Sequence, residues 1–259
     1  MRSQLLVLPL ALLLVLAAAC GGEEDSAAQG ETVATTASGP AGPDALPQGS
    51  ESVDLDPADF VASIDNPYWP MAPGSKWVYR ETDAEGNKQR VEVTVTDRTK
   101  TILGIDATVV HDVVSEDGQL IEDTYDWYGQ DKAGNIWYLG EDTKEYEDGK
   151  VVSTEGSWEA GVDGAQAGIL VPGNPEVGMA YRQEYYSGEA EDNGEILSLD
   201  ERVEVPFGSF EQVLMTKDTT PLEPDVLEHK FYAKGVGPVL AIGVSGGGGR
   251  EELLSFERG

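Results

Sequence analysis

Apolar and polar residues alternate with a period of two along most of this chain, and this alternation constrains the fold more than any other feature. It recurs from Lys76 onward between short turn signals and is clearest at residues 91–96, which read VEVTVT. Such alternation is typical of β-strands with one buried face. No window of ten or more residues keeps a clean helical stripe, so the sequence predicts an all-β domain.

Four short segments carry the residues of tight hairpin turns. They are 116–118 (EDG), 132–135 (KAGN), 147–149 (EDG) and 192–194 (DNG). Asp-Gly and Asn-Gly favour the left-handed backbone that two-residue hairpins need, so we predict that each segment joins two antiparallel strands. Ahead of the first strand, Asp56 and Pro57 can begin a short helix with residues 58–64 as its body.

The chain is also similar to itself at an offset of 104 residues. At this offset Gly74 falls on Gly178, Trp77 on Tyr181, Gly104 on Gly208, and Trp127-Tyr128 on Phe231-Tyr232. We interpret residues 74–140 and 178–244 as two tandem copies of about five strands each. Five strands make a marginal core, so the copies are expected to share one sheet or to face each other. The prediction is a single domain over residues 55–259, with about 10 to 13 mostly antiparallel strands in a curved sheet, sandwich or half-barrel.

The first 19 residues have the tripartite pattern of an export signal, with Arg2, an uncharged run and small residues before Cys20. The run is short for a membrane-spanning helix, which needs about 20 apolar residues. Residues 17–20 (AAAC) resemble the lipobox of bacterial lipoproteins, although Ala17 stands where Leu is usual. The resemblance implies cleavage before Cys20 and a diacylglycerol on its sulfur. The alternative is an ordinary secretory signal that leaves Cys20, the only cysteine of the chain, as a free thiol.

Residues 20–54 are rich in Gly, Ala, Ser, Thr, Pro and acidic residues, and they predict a flexible tether. The whole chain has a formal net charge of −31. This excess of acid excludes nucleic-acid binding, which requires cationic side chains for the phosphates. It also argues against docking of the domain on anionic lipid. The expected location is therefore the extracytoplasmic face of a cell membrane, with the Cys20 lipid as the membrane contact.

Several segments resemble a known group of exported proteins. They are GSKWVY at 74–79, VTVTD at 93–97, the long run from EDTYDW at 122 to Gln166, and PLEPDVLEHKFYA at 221–233. They look like uncharacterised predicted bacterial lipoproteins, similar to the β-rich TapB-like exported group. The resemblance covers most of residues 66–244. It implies a β-rich fold and an envelope location, and it supplies no activity and no site residues.

No catalytic or cofactor motif is predicted. Residues 243–247 (GVSGG) match the nucleophile elbow G-x-S-x-G, but a strand pattern follows and no His comes after Ser245, so we interpret them as a hairpin loop. His111 and His229 lie in strand patterns and are not expected to serve catalysis or metal binding. Calcium is an open alternative at two acidic hairpins. Their residues are Glu122, Asp123, Asp126 and Asp131 at one, and Glu189, Glu191, Asp192 and Glu195 at the other.

Aromatic residues are concentrated in the first copy and its extension. Some pack in a core, and others are candidates for an aromatic-lined ligand site. The candidates are Trp77, Trp127, Tyr128, Trp137 and Tyr138. We therefore expect a non-enzymatic binding or interaction module of the cell envelope, with a protein, glycan or lipid as its partner. The alternatives are a carrier of an apolar ligand, a hydrolase that uses an Asp/Glu pair, and an assembly role for a free sheet edge.

Overall fold

The computed structural model describes residues 46–246 and 248–259. The predicted export signal, Cys20 and most of the tether lie outside these residues. Sixteen strands form one sheet, and every strand pair is antiparallel. The prediction of an all-β, antiparallel domain is confirmed.

The strands of the first half are β1 Phe60–Val61, β2 Lys76–Asp83, β3 Lys88–Ile102, β4 Ile105–Glu116, β5 Gln119–Asp131, β6 Ile136–Glu147, β7 Lys150–Ser153 and β8 Trp158–Glu159. Those of the second half are β9 Gln166–Val171, β10 Ala180–Arg182, β11 Glu184–Tyr185, β12 Asn193–Val205, β13 Gly208–Thr219, β14 Leu227–Ala233, β15 Gly237–Ser245 and β16 Gly249–Glu257.

Two meanders make up most of the sheet, β2 to β6 and β12 to β16, and the pairing of β16 with β2 joins them. At the far ends, β10 pairs with β12 and β11 pairs with β9. Gln183 alone separates β10 from β11 in the chain, so the sheet nearly closes on itself. Residues 74–140 and 178–244 thus share one sheet. Their origin as two copies of one unit stays a prediction.

Three of the four predicted hairpin turns are confirmed. Asp117 and Gly118 join β4 to β5 with φ angles of 49° and 78°, and residues 148–149 and 132–135 make the next two turns. The prediction at residues 192–194 is wrong, because Gly194 lies within β12. A Cβ on Gly194 would stand 2.7 Å from the ring of Tyr181, so this glycine serves close packing of an aromatic ring and not a turn.

The predicted helix at residues 58–64 is reduced to one 3-10 turn, Pro57–Asp59, whose first amides are capped by Asp56. The turn ends because Phe60 and its neighbour pair with β5 as strand β1. The ring of Phe60 also packs against Trp137, with centroids 6.4 Å apart. Tertiary pairing therefore overrides the local helix signal at this point.

Residues 46–54, which the sequence assigned to the tether, contact the sheet. Arg182 is buried and donates hydrogen bonds through Nη1 to the carbonyl oxygens of Gly49 and Glu51, at 2.8 and 2.6 Å. Its backbone amide also donates to the carbonyl of Pro47. These hydrogen bonds hold residues 47–51 against β10, ahead of the first strand in the chain. Among the described residues, no helix has the length and apolar character needed to cross a membrane.

The interior of the curved sheet has two layers. The end where β2 and β15 begin is apolar, and the segment at residues 64–71 closes it with Trp69 and Met71. A Cβ on Gly237, the first residue of β15, would stand 2.8 Å from the Trp69 ring, which places Trp69 at this end. The other end, where the turns at residues 84–87 and 117–118 lie, is strongly polar inside.

Candidate functional site inside the sheet

Seven strands each turn one carboxylate into the polar end of the interior. These side chains are between 1% and 5% exposed, a rare condition for acidic residues. They are Glu81 on β2, Asp112 on β4, Asp126 on β5, Glu141 on β6, Glu184 on β11, Asp218 on β13 and Glu251 on β16. We call this set the acidic ring. Glu122 and Glu228 are partly exposed and lie on its solvent side.

The strand register places members of the acidic ring directly opposite another carboxylate in three places. Glu81 pairs with Glu251 across β2 and β16, Asp126 with Glu141 across β5 and β6, and Asp218 with Glu228 across β13 and β14. Opposed residues on neighbouring strands have Cβ atoms about 5 Å apart, and like charges at that distance are destabilising. The register therefore brings buried carboxyl groups so close together that ionisation of both members of a pair is unfavourable.

Lys230 compensates one sector of the ring. Its Nζ lies 3.1 Å from Oδ2 of Asp218 and 3.5 Å from Oε2 of Glu228. Burial, which alone lowers the pKa of Lys230, is outweighed by these two carboxylates, so its pKa lies well above the usual value. Within the described residues, Arg182 is the other buried cation, and it points to backbone carbonyls.

Neutral donors serve other members of the ring. The hydroxyl of Tyr138 donates to Oδ1 of Asp126 at 2.7 Å, and Nε1 of Trp158 donates to Oε2 of Glu184 at 2.9 Å. The side-chain amide of Gln183 donates to Oδ2 of Asp218 at 3.2 Å. Oε1 of Glu184 and Oδ1 of Asp218, the other oxygens of those two groups, have no hydrogen-bond partner among the described residues.

The sector around β2 and β16 has no such donors. In the described part of the chain, both carboxylate oxygens of Glu81 and of Glu251 lack a hydrogen-bond partner, as do Oδ1 of Asp112 and Oε1 of Glu141. A buried polar group without a partner costs about 1–3 kcal/mol, and more when it is charged. Native proteins contain few such groups, so their accumulation inside the sheet, where Oε1 of Glu184 and Oδ1 of Asp218 also lack partners, indicates a site for something that binds them.

Burial and mutual repulsion raise the pKa values of the ring. Burial, followed by the charges of Glu251 and Glu228, raises the pKa of Glu81 to about 10. Burial and then Glu228 raise the pKa of Glu251 to about 8. For Asp126, burial outweighs the hydrogen bond from Tyr138 and raises the pKa to about 7. These carboxyls therefore hold protons at pH values where exposed carboxyls are ionised, unless a cation takes the place of the proton.

A layer of tyrosines lies next to the ring, towards the apolar end. Its members are all at most 3% exposed and are Tyr79, Tyr128, Tyr138, Tyr181 and Tyr232. The rings of Tyr128 and Tyr138 stack with centroids 5.0 Å apart. Trp69 packs on Tyr128 and on Tyr232 from the apolar end of the interior. The interior therefore presents aromatic faces on one side and carboxylates on the other.

The aromatic candidates from the sequence are divided by the structure. Tyr128 and Tyr138 lie inside, beside Asp126. Trp77 is fully buried, donates from Nε1 to the carbonyl of Val236 and stacks on Phe256. Trp127 and Trp137 are the chain neighbours of Tyr128 and Tyr138 and lie on the opposite face of the sheet. There Lys100 Nζ stands 3.1 Å from the ring centroid of Trp127, and Nε1 of Trp137 donates to Asp131. The five residues do not converge, and a ligand role for any of them stays a prediction.

The first candidate calcium hairpin is also divided. Glu122 and Asp126 face the interior, whereas Asp123 lies 2.7 Å from Nε2 of His111 on the other face. Asp131 accepts hydrogen bonds from Asn135 and from Trp137. Across residues 46–246 and 248–259, no group of three or more His, Cys, Asp and Glu side chains is arranged to hold a metal ion.

Gly243, Val244 and Ser245 of the G-x-S-x-G segment are the last three residues of β15, which pairs with β16 as an antiparallel hairpin, as the sequence predicted. The Ser245 hydroxyl donates to the carbonyl oxygen of Asp225 at 2.8 Å. This hydroxyl is bonded to the backbone of a neighbouring loop, and a strand follows where the nucleophile motif requires a helix.

Of the acidic ring, only Asp126 was among the residues singled out from the sequence, as a calcium candidate. A local signal does exist, because Asp112 follows the apolar run from Ala107 to Val110 and precedes Val113 and Val114. Asp126 likewise stands between Tyr125 and Trp127. A carboxylate at an inward position of an otherwise apolar strand is unusual. With 48 acidic residues in the chain, that signal was lost among the exposed ones.

Comparison with known proteins gives limited information. No protein-family model matches the chain, and no curated protein matches it. A crystal structure of a "putative exported protein with YmcC-like fold" from Bacteroides fragilis aligns with a TM-score of 0.45 at 13% identity, covering 74% of this chain and 99% of that one. A "putative lipoprotein" from Parabacteroides distasonis aligns with a TM-score of 0.41 at 12% identity and the same coverage. Neither description mentions the TapB-like group, and at these TM-scores the likeness supports no functional argument.

Proposed function

We propose that this chain is a non-enzymatic binding lipoprotein of the cell envelope, which is anchored by lipid on Cys20 and holds a ligand inside its curved sheet. The acidic ring carries the proposal. A packed interior that served stability alone would be apolar, because buried carboxylates without partners oppose folding. A ligand that supplies the missing partners explains why these residues are placed there.

The position of the ring supports a route for the ligand. The ring lies near the turn end of the sheet, where the side chain of Glu228 is 22% exposed. The opposite end is closed by Trp69 and the tyrosine layer. A ligand would therefore approach from the turn end and stop at the aromatic rings.

The alternatives from the sequence fit the interior less well. A wholly apolar ligand would leave the oxygens of Glu81 and Glu251 unsatisfied. A glycosidic hydrolase needs two carboxylates on an open groove. The closest candidates, Asp126 and Glu141, are 1% and 2% exposed and oppose each other under the tyrosines. A polymeric substrate does not reach them.

Native mass spectrometry of the protein purified from its host membrane tests this function. We expect a small-molecule adduct on the delipidated protein that is lost in the double variant Asp112→Leu/Glu141→Leu, which removes ring carboxylates that lack partners. Circular dichroism establishes that this variant is folded. A protein that carries no adduct after purification under several mild conditions would contradict the proposal.

A further inference from the structure

The two ends of the sheet meet at strands β9 and β10 without a ladder between them. β10 pairs with β12, β9 pairs with β6 and β11, and no register links β9 to β10 within the described residues. The two backbones nevertheless lie close together, because a Cβ on Gly168 of β9 would stand 2.5 Å from the carbonyl oxygen of Arg182. Contacts other than a strand ladder therefore hold this junction closed.

The segment at residues 46–53 spans the junction, and we call it the strap. On the β10 side, the backbone amide of Arg182 donates to the carbonyl oxygen of Pro47 at 2.7 Å. On the β9 side, the backbone amide of Val53 donates to Oε1 of Gln166, the first residue of β9, at 3.4 Å. The strap thus contacts both strands that the sheet leaves unpaired with each other.

The side chain of Arg182 ties the strap and the two strands together. Its guanidinium donates to the carbonyl oxygens of Gly49 and Glu51 in the strap and to that of Ala167 in β9, at distances between 2.6 and 2.8 Å. Arg182 is 1% exposed, and a buried charge that loses its partners is strongly destabilising. Because two of the three carbonyls come from the strap, the strap stabilises the buried cation that joins β10 to β9.

The strap is attached by hydrogen bonds more than by apolar burial. Pro47 is buried and Leu46 and Val53 are half-buried, whereas all five residues at 48–52 are exposed. Segments with few buried apolar contacts open locally at low cost in free energy. Water can take the place of the strap carbonyls once the segment leaves, so its release does not require the rest of the domain to unfold.

We propose that the strap is a detachable closure of the sheet. While residues 46–53 are bound, Arg182 joins β10 to β9; when they are released, the sheet opens between these two strands. The strap is also the part of the described domain that lies nearest in the chain to Cys20, so a pull on the predicted lipid anchor acts on it first. Opening of this kind requires no ligand and goes beyond the binding function proposed above.

Hydrogen exchange read by mass spectrometry on the mature protein tests whether the strap is released. Gly49 has a φ of 44°, and a Cβ there meets no atom within 4 Å, so Gly49→Val strains the strap backbone without touching the sheet. We expect exchange at the amides of Val53 and Arg182 to become about tenfold faster, because β-branched residues are strained at positive φ. The matched control is Ser50→Val, which adds the same side chain to an exposed neighbour without a positive φ and should leave exchange unchanged.

A distance measurement tests whether release of the strap opens the sheet. Spin labels are placed at Val162→Cys, in the loop before β9, and at Glu195→Cys, on the strand next to β10, in a Cys20→Ser background. Both sites are exposed enough to accept a label, at 48% and 39%. Electron–electron resonance should show one distance in the unmodified protein and in Ser50→Val. Gly49→Val should add a second, longer distance.

Two results would overturn the proposal. A single, unchanged distance in Gly49→Val, together with fast exchange of its strap, would show that the strap leaves while the sheet stays closed. Arg182→Met removes the guanidinium and should also speed exchange of the strap. Slow exchange in both Gly49→Val and Arg182→Met would show that these hydrogen bonds do not hold the strap in place.

Discussion

The two meanders place side chains of opposite charge at equivalent positions inside the sheet. In the first, β5 places Asp126 two residues before Tyr128; in the second, β14 places Lys230 two residues before Tyr232. Lys230 is held by Asp218 and Glu228, so β13 and β14 of the second meander contain a cation for their own carboxylates. Asp126 faces Glu141 across its own strand pair. The strands β16, β2, β4, β5 and β6 therefore depend on protons or on a bound cation for the charge compensation that Lys230 provides on β13 and β14.

Removal of Lys230 should cause the largest loss. Lys230→Met leaves Asp218 and Glu228 opposed and buried without their cation, and breaking a buried pair in this way costs about 3–5 kcal/mol. Urea unfolding at pH 7 measures the change. The control is Lys217→Met, because Lys217 is 39% exposed and pairs at 3.4 Å with Glu195, so its loss should cost less than about 1 kcal/mol. Equal effects of the two variants would remove the distinction between the meanders.

The stability of the domain should fall as the pH rises above about 4.5. The pKa of Glu81 is about 10 and that of Glu251 about 8 in the folded state, and in the unfolded chain both return to the ordinary value near 4.5. Between these values the folded state binds more protons than the unfolded state, so the free energy of unfolding decreases with pH. The facing groups are Glu251, Glu228, Glu122 and Asp112 for Glu81, and Glu228 and Lys230 for Glu251.

Thermal unfolding at pH 5, 7 and 9, at constant ionic strength, measures this trend. The protein should melt at the highest temperature at pH 5. The double variant Glu81→Gln/Glu251→Gln should flatten the profile, because it removes two of the groups that titrate. A profile that rises towards pH 9 would show that the ring is not protonated in the free protein.

Neutralising one carboxylate should have opposite effects in the two sectors. Glu251→Gln relieves the like-charge pair with Glu81 and should stabilise the protein at pH 8 by about 1–2 kcal/mol. Asp218→Asn removes the main partner of buried Lys230 and should destabilise it by about 1–3 kcal/mol. Chemical denaturation of the two variants side by side provides the comparison. Changes of the same sign would contradict the assignment of one self-neutralised and one open sector.

The smallest effect on stability is expected for Cys20→Ser. The residue precedes the described domain, so unfolding of the variant should match that of the unmodified domain. In the host, however, the protein should move from the membrane fraction to the soluble fraction, because the proposed lipid is lost. Fractionation with globomycin-treated cells as a parallel control measures it. Retention of the variant in the membrane fraction would contradict a lipid anchor at this residue.

Much of the fold could be predicted from local patterns. Period-two alternation and the Asp-Gly turns located strands β4 to β6, because these signals act between neighbours in the chain. The Asn-Gly at residues 193–194 led to a wrong turn prediction. Glycine is needed at position 194 because the ring of Tyr181, on another strand, packs against it. The prediction of a helix at residues 58–64 was wrong for the same physical reason, because Phe60 and Val61 pair with β5, which is distant in the chain.

The candidate site could not be predicted from local sequence patterns, because its residues come together only when the sheet closes. Glu81 and Glu251 meet only through the pairing of the first long strand with the last one. Nothing near either residue in the sequence indicates the other. The tyrosines Tyr128 and Tyr138 could be selected as candidates, whereas the carboxylates that accompany them could not be distinguished from solvated acids.

The pairing of β2 with β16 also sets an order of events during synthesis. One edge of β2 stays unpaired until residues 249–257 have emerged, so the sheet cannot close before then. Such long-range pairing slows folding, and an open strand edge invites pairing with other chains in the interval. Along β2, the charged side chains of Lys76, Arg80 and Glu81 interrupt the apolar run, which protects this edge while it waits. These charged side chains therefore protect the nascent domain against aggregation until β16 has paired with β2.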